Sequence, residues 1–375
     1  MKQYKLPGRQ SQAYNILSLI AISGELPKEQ VYRLPGGGEY KRIKVIPSLK
    51  EKKFISTYYN DKLRGYRLTS NSKNELLADN RERFEFYLTG SIETNQPKYE
   101  IRRRLRLKSI AEAFVTMQNA GVAVYRDEKP DIFYPEAELK QTLSVTAPAF
   151  YNSREMKNYG IDFNKVRGSR SVGVLLTQSK IFVVYNTGGS VMKWDFRAEV
   201  RTRTLLGVIL GIERLPCQYR NSDVCGLMLG DSMEQFYQLL TNKSRLKERG
   251  FKLDNTYDNF LYLPNDSNGE MVLRLLCDDG KTQELNRILS LDFNECNPGM
   301  LVDNDAVDQN GNPVLFAYDC NMTRIVRFSG GLEIHDMKGT IYCFDFQADV
   351  LRRYCCNNVI FETIKTDKFK RLFFL

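Results

Sequence analysis

Two groupings of side chains in this sequence have the types and spacing to do chemistry. The first is Pro130-Asp131 followed by Glu138-Leu139-Lys140. Two carboxylates and a lysine form the ligand set of a metal-dependent nuclease. The acids hold a divalent ion, and the lysine orients the attacking water. That chemistry needs all three groups on adjacent strands of one hairpin. Only six residues separate Asp131 from Glu138, and Pro135 interrupts them. The spacing is tight for strand, turn and strand, and the stretch reads equally as a surface loop with ordinary charges. The second grouping is Asp231 after LMLG, Asp319 after VLFAY and Asp345 after IYCF. Each follows an apolar run that predicts a strand, and ligands bind at the carboxyl ends of strands in open α/β sheets. Brought together, three aspartates hold a magnesium ion. Kept apart, each caps the helix after its strand.

Other chemistries are excluded by what the chain lacks. It has one histidine, His335. That rules out H-E-x-x-H, a Cys/His finger and any paired-histidine metal site. A Ser-His-Asp triad would run through His335 with no G-x-S-x-G element beside it. The eight cysteines include no C-x-x-C pair, and only Cys355 and Cys356 are adjacent. This is the pattern of a reduced, cytoplasmic protein, not of a disulfide framework or zinc site. No membrane is expected, because there is no 18-residue apolar run and MKQYKLPGRQ lacks a signal peptide's apolar segment. Gly36-Gly37-Gly38 follows no strand and precedes no Gly-Lys-Ser/Thr, so a P-loop fails. Asp303 to Asp308 lacks calcium-loop spacing and reads as a turn.

The length, 375 residues, predicts two or three domains. The net charge is +10, and its placement is uneven. Residues 1–110 hold 23 Lys+Arg against 11 Asp+Glu, while the remaining 32 basic and 34 acidic residues nearly cancel. The whole positive excess lies in a head at the N-terminus. A patch of this kind is an electrostatic footprint for a phosphate backbone, and a merely soluble basic surface is the plainer reading.

The elements that would carry these charges follow from the pattern. Ser11 to Ser23 reads as a buried amphipathic helix ended by Gly24. Leu26 to Tyr32 reads as a second short helix with Pro27 in its first turn. The three glycines turn the chain into a third helix bearing Lys41, Arg42 and Lys44. Pro47 kinks this helix or marks its start, and in the latter case Lys50, Lys52 and Lys53 are its basic residues. Phe54 to Tyr59 and Tyr66 to Thr69 predict two strands around a turn at Asn60 to Gly65, with Lys62, Arg64 and Arg67 on the hairpin. Ser70 to Asn80 predicts a further helix. Lys98 to Asn119 predicts a long one, with Arg102, Arg103, Arg104, Arg106 and Lys108 along its first half and Gly121 ending it.

Beyond residue 120 strands alternate with helices. Ser171 to Tyr185 predicts a hairpin, and Gly226–Leu229, Val314–Tyr318, Ile341–Phe344 and Val359–Ile364 predict strands. Phe260–Leu263 and Met271–Leu276 flank a turn at Asn265 to Gly269. Ala198–Ile212, Met233–Leu240, Thr282–Leu289 and Gln347–Cys355 predict helices. No internal repeat is visible in the sequence. The expected fold is a multidomain α+β or α/β protein. Its expected divisions are residues 1–90, a basic helical connector over 91–120 and an α/β domain over 121–375, which breaks near 215–225 if it holds two subdomains.

The stretch EYKRIKVIPSLKEKKFISTYYNDKLRGYRLT is a basic helix followed at once by a basic-tipped hairpin. It resembles the recognition helix and wing of a winged helix-turn-helix. GYRLTSNSKNELL resembles the wing strand and next helix of bacterial winged-helix regulators, a likeness covering about residues 10–80. The resemblance implies a third helix docked in a major groove with the wing on the adjacent backbone. Lys41, Arg42 and Lys44 would then approach base edges, while Lys62, Arg64 and Arg67 hold phosphates. With the arginine-rich connector, Pro130-Asp131 and the hairpin RSVGVLLTQSKIFVVYNTG, the whole chain resembles the replication–relaxation family of plasmid and conjugative-element proteins. The expectation is a non-catalytic, sequence-specific binder of double-stranded DNA at a mobile element's origin, with no cofactor. It would work beside proteins of a replication or transfer complex and could oligomerise. The enzymatic alternative is a nuclease or nickase that uses magnesium and is targeted by the same head. A transcription regulator whose body binds a small ligand is the third reading.

Overall fold

The structure is a computed structural model that describes residues 5–60, 62–90, 101–134, 143–160, 168–220, 223–242, 250–295 and 300–374. The chain forms a mixed α+β fold in two compact units, Met1–Asp131 and Ile132–Leu375.

In the first unit, α1 (Gln12–Ser23) starts where the Ser11 hydroxyl accepts from the Tyr14 amide at 3.1 Å, and it ends at Gly24 in the left-handed region (φ 85°). Every residue from Ile16 to Ser23 is buried. A helix that is apolar all round belongs inside. Leu26–Pro27 is not helical as expected but a two-residue strand, β1. Proline lacks a donor and is tolerated at such an edge. α2 follows over Lys28–Arg33.

The third helix, α3, runs in three pieces: Gly38–Tyr40, a wide π-helical turn Lys41–Val45, and Ile46–Glu51. The helix neither starts at Pro47 nor stops there. The Ile46 amide reaches five residues back to the Lys41 carbonyl. This wider turn lies just before the position where Pro47 withholds its donor. α3 ends with Lys53 in the left-handed region (φ 56°) and the Phe54 amide on the Leu49 carbonyl at 2.8 Å.

β2 (Ile55–Asn60) and β3 (Leu63–Leu68) pair antiparallel with Asn60 opposite Leu63. The turn is therefore two residues long, and Lys62 takes it in the left-handed region (φ 64°). Gly65, expected in the turn, lies inside β3 opposite Tyr58 and Pro27. The sheet order is β1-β3-β2. α4 (Ser70–Asp79) and α5 (Arg81–Leu88) follow, capped by Thr69 and Asn80.

α6 (Ile101–Asn119) is a core helix of this unit and not a connector. Residues Ile110 to Met117 are all buried, whereas Leu105 nearer its start is half exposed. The chain then packs back. The Tyr125 hydroxyl donates to Asn15 at 2.9 Å, and Arg83 pairs with Asp127 at 2.8 Å. The division accordingly falls after Asp131 and not near residue 120.

The second unit holds two five-stranded sheets with one topology. In the first, β4 (Ala149–Asn152), β5 (Gly173–Leu176) and β6 (Ile181–Gly188) form an antiparallel meander. β7 (Val224–Gly230) and β8 (Phe260–Pro264) then run parallel to β6. α7 (Ser153–Lys157) follows β4, and α8 (Phe196–Val208, extended by a π turn Ile209–Arg214) links β6 to β7. α9 (Met233–Thr241) links β7 to β8, and α10 (Ser267–Leu276) follows β8. Residues 271–276, expected to be extended, lie in α10 because Asp266 caps that helix through the Asn268 and Gly269 amides. α11 (Asp279–Leu289) separates the sheets.

The second sheet repeats the scheme. β9 (Asn294–Glu295), β10 (Ala306–Val307) and β11 (Pro313–Phe316) are antiparallel. β12 (Gly339–Phe344) and β13 (Val359–Ile364) are parallel to β11. α12 (Met322–Ile334), α13 (Asp345–Tyr354) and α14 (Thr366–Phe373) alternate with them. The same pairing order, two antiparallel contacts and then two parallel ones, occurs in both sheets where the sequence shows no repeat, with α7 added between β4 and β5 in the first. One apolar core, including Val183, Phe236, Leu315 and Ile341, spans both sheets. Among the described residues no helix is long and apolar enough to cross a membrane.

Candidate nucleic-acid interface

The predicted cations separate into an outer set and an inner set. Arg42 and Lys44 on α3 are exposed, as are Lys52 and Lys53 at its end, Lys62 and Arg64 on the hairpin, and Arg102 and Arg103 on α6. Lys50 is half-buried, with its ammonium 5.4 Å from the Tyr66 ring centre. Burial first, and then the neighbouring Arg64 charge, pull Lys50 below its usual range. The end of α3 therefore lies against the hairpin strand that carries Tyr66.

Lys41, Arg67 and Arg104 do not face solvent. Lys41 is fully buried and donates to the Leu34 carbonyl at 2.5 Å, and burial lowers its pKa. Arg67 and Arg104 converge on Glu25. Arg67 Nη2 lies 2.7 Å from Glu25 Oε2, and Arg104 Nη2 lies 2.5 Å from Oε1. Arg104, 1% exposed, also donates to the carbonyls of Asn60 and Leu63, each at 3.1 Å. Both guanidiniums stack on Tyr58, with their carbons 3.9 and 4.8 Å from the ring centre. Arg67 was expected on a phosphate and Arg104 in the basic stretch of the long helix, but both hold the hairpin to β1 and α6 from inside.

The same site contains residues that sequence reasoning passed over. Tyr40 and Ile43 are 58% and 50% exposed on α3 beside Arg42 and Lys44. The wide turn leaves Arg42, Ile43 and Lys44 all outward, three consecutive positions. Glu25 was missed too. Its only mark in the sequence is a carboxylate inside the run AISGELP. The glycine that admits it is Gly65, where an added Cβ would stand 2.4 Å from Glu25 Oε1.

The carboxylates of the first grouping are not shown as a unit. Asp131 is exposed and pairs with Arg126 at 3.2 Å, while Glu138 and Lys140 lie outside the described residues. The strand-end aspartates do not converge. Asp231 belongs to the first sheet and lies against Gly189, where a Cβ would come within 2.9 Å of its Oδ2. Asp319 and Asp345 belong to the second. Asp319 accepts the Asn321 amide at 3.0 Å, and burial pushes its carboxyl up against the pull of Arg324. Asp345 accepts the Thr366 hydroxyl and, at 3.3 Å, the Thr366 amide. Burial alone would raise Asp345, but the Thr366 bonds bring it below the usual range. The expected capping role needs amending: Ser232 and Asn321 cap α9 and α12, and Asp345 ties β12 to the start of α14. Among the described residues no three of His, Cys, Asp and Glu gather as metal ligands.

A buried carboxylate in the second unit also escaped notice. Glu199 on α8 accepts from the Arg170 amide, the Ser169 hydroxyl and the Tyr185 hydroxyl, each at 2.8 Å. Tyr185 and Tyr257 share a further bond at 2.7 Å. Burial raises the Glu199 pKa. Glu199 lies three residues before Thr202 and seven before Leu206, both buried, and that spacing was its signal. No family model matches this chain, and no curated protein or solved structure matches it either.

Proposed function

We propose that the first unit is a winged helix that binds double-stranded DNA. On this reading α3 is the recognition helix, β2–β3 is the wing, and the chain serves a mobile genetic element in replication, relaxation or conjugative transfer. The observation that carries the DNA reading is the outward face of α3. Arg42 and Lys44 flank exposed Ile43, exposed Tyr40 precedes them, and Lys50 at the helix end sits over Tyr66 of the hairpin strand that also carries Arg64. Cations mixed with exposed apolar groups suit a major groove, which offers acceptors on guanine and a methyl on thymine. Lys62 and Arg64 at the hairpin suit the adjacent backbone. The strand order β1-β3-β2, with β1 between α1 and α2, agrees with a winged helix. The basic excess of residues 1–110 supports the same partner.

The test is the affinity of the full chain for duplex DNA as a function of salt. Phosphate neutralisation releases counterions, so log K must fall steeply with log salt. A flat dependence defeats the reading. Selection from a random-sequence duplex pool then asks for sequence preference, and an unenriched pool would reduce the proposal to non-specific binding.

A further inference from the structure

A cleft of about 160 Å³ opens between the hairpin, β1 and α6, lined by Glu25, Glu29, Lys62, Arg64, Arg104 and Lys108. One water takes roughly 30 Å³ in the liquid, so the cleft has room for a tetrahedral anion. Its floor is Glu25, and two buried guanidiniums share that single carboxylate. The buried triad therefore carries one positive charge more than it cancels. Lys108 is partly offset by Glu112 at 3.6 Å, and Glu29 brings one negative charge to the lining. Lys62 and Arg64 add two positive charges at the mouth. The balance over these groups remains positive, and low-dielectric walls focus that field outward.

We propose that this cleft is a phosphate seat. It takes one phosphodiester of the DNA strand that runs past the hairpin, between the wing cations and Lys108 of α6. This deepens the DNA-binding reading and rests on it for the source of the phosphate. It assigns Lys108 and the cleft, rather than the hairpin tip alone, to backbone anchoring. Such a contact holds register without reading sequence.

The experiment uses the full chain with duplexes carrying a neutral methylphosphonate at each backbone position in turn, and compares wild type with Lys108→Gln and Arg64→Gln. One position is expected where neutralisation weakens wild-type binding but leaves Lys108→Gln unaffected. Lys108→Gln is expected to weaken all sequences alike and to reduce the salt slope by about one. DNA binding with no such coupled position, and with an unchanged slope, overturns the seat and leaves the DNA reading standing. Duplexes with and without 5′-phosphates separate an internal from a terminal phosphate, and a coupling that needs the 5′-phosphate overturns the phosphodiester assignment. If the chain binds no DNA, ³¹P line broadening of pyrophosphate decides the cleft by itself. Broadening in wild type that is lost in both variants supports an anion seat, and no broadening overturns it.

Discussion

Arg104 reaches across 79 positions of sequence to place Nη2 2.5 Å from Glu25 Oε1. With Arg67 on the other oxygen, this one carboxylate joins β1, β3 and α6. Removing one partner from a buried ion pair strands the rest and costs about 3–5 kcal/mol. Glu25→Ala is expected to destabilise the first unit by that amount, read from denaturant unfolding followed by a probe within residues 12–119. Gly65→Ala should act in the same direction, since its methyl would occupy the carboxylate's place. A loss below about 1 kcal/mol for Glu25→Ala would show that the triad does not hold the unit together.

Lys62 holds a left-handed turn position (φ 64°) that glycine occupies without the penalty of about 1–2 kcal/mol borne by a side chain. Lys62→Gly should therefore weaken DNA binding while leaving the melting temperature unchanged or higher. A fall in melting temperature would mean that the lysine side chain supports the hairpin.

Arg42 on α3 and Arg64 on the hairpin are both exposed, yet their expected roles differ. Arg42→Ala should cost about 1–3 kcal/mol at the preferred site and relax preference at one or two base positions. Arg64→Ala should weaken every site equally. Binding measured on the preferred site and on single-base variants separates them, and identical uniform losses from both substitutions would refute the division.

Glu199 gives the second unit a pH dependence of definite sign. Burial raises its folded-state pKa above the unfolded value of about 4.3. The folded state therefore holds the proton more tightly. Its contribution to stability is complete below pH about 4.3 and is lost as pH rises towards the folded pKa, at up to about 1.4 kcal/mol per pH unit. Asp345 acts oppositely: its lowered pKa contributes above the usual aspartate range and is lost on acidification. Unfolding of the second unit between pH 4.5 and 8 should show a downward trend that Glu199→Gln flattens. An unchanged slope in the variant would assign the trend elsewhere.

The sequence alone determined the elements whose causes are local. Ser11 and Gly24 bracket α1 because a hydroxyl cap and a left-handed glycine act within one turn. The apolar runs of Ser171 to Tyr185 became β5 and β6, and those at Gly226–Leu229, Phe260–Leu263, Ile341–Phe344 and Val359–Ile364 became β7, β8, β12 and β13, whereas Met271–Leu276 joined α10. The basic excess of the head was countable from residue types. Tertiary structure decided which charges face outward. Arg102, Arg103 and Arg104 are neighbours in sequence, but a helix turns about 100° per residue. Only the fold of β1 and β3 against α6 places Glu25 beneath Arg104 and leaves the other two outside. Likewise the wide turn before Pro47 sends Lys41 inward and Arg42 and Lys44 outward, which composition cannot register. Asp231, Asp319 and Asp345 each end a strand, as their apolar runs imply, but strand order assigned them to two different sheets. Long-range partners set that order, and no local stretch of sequence carries it.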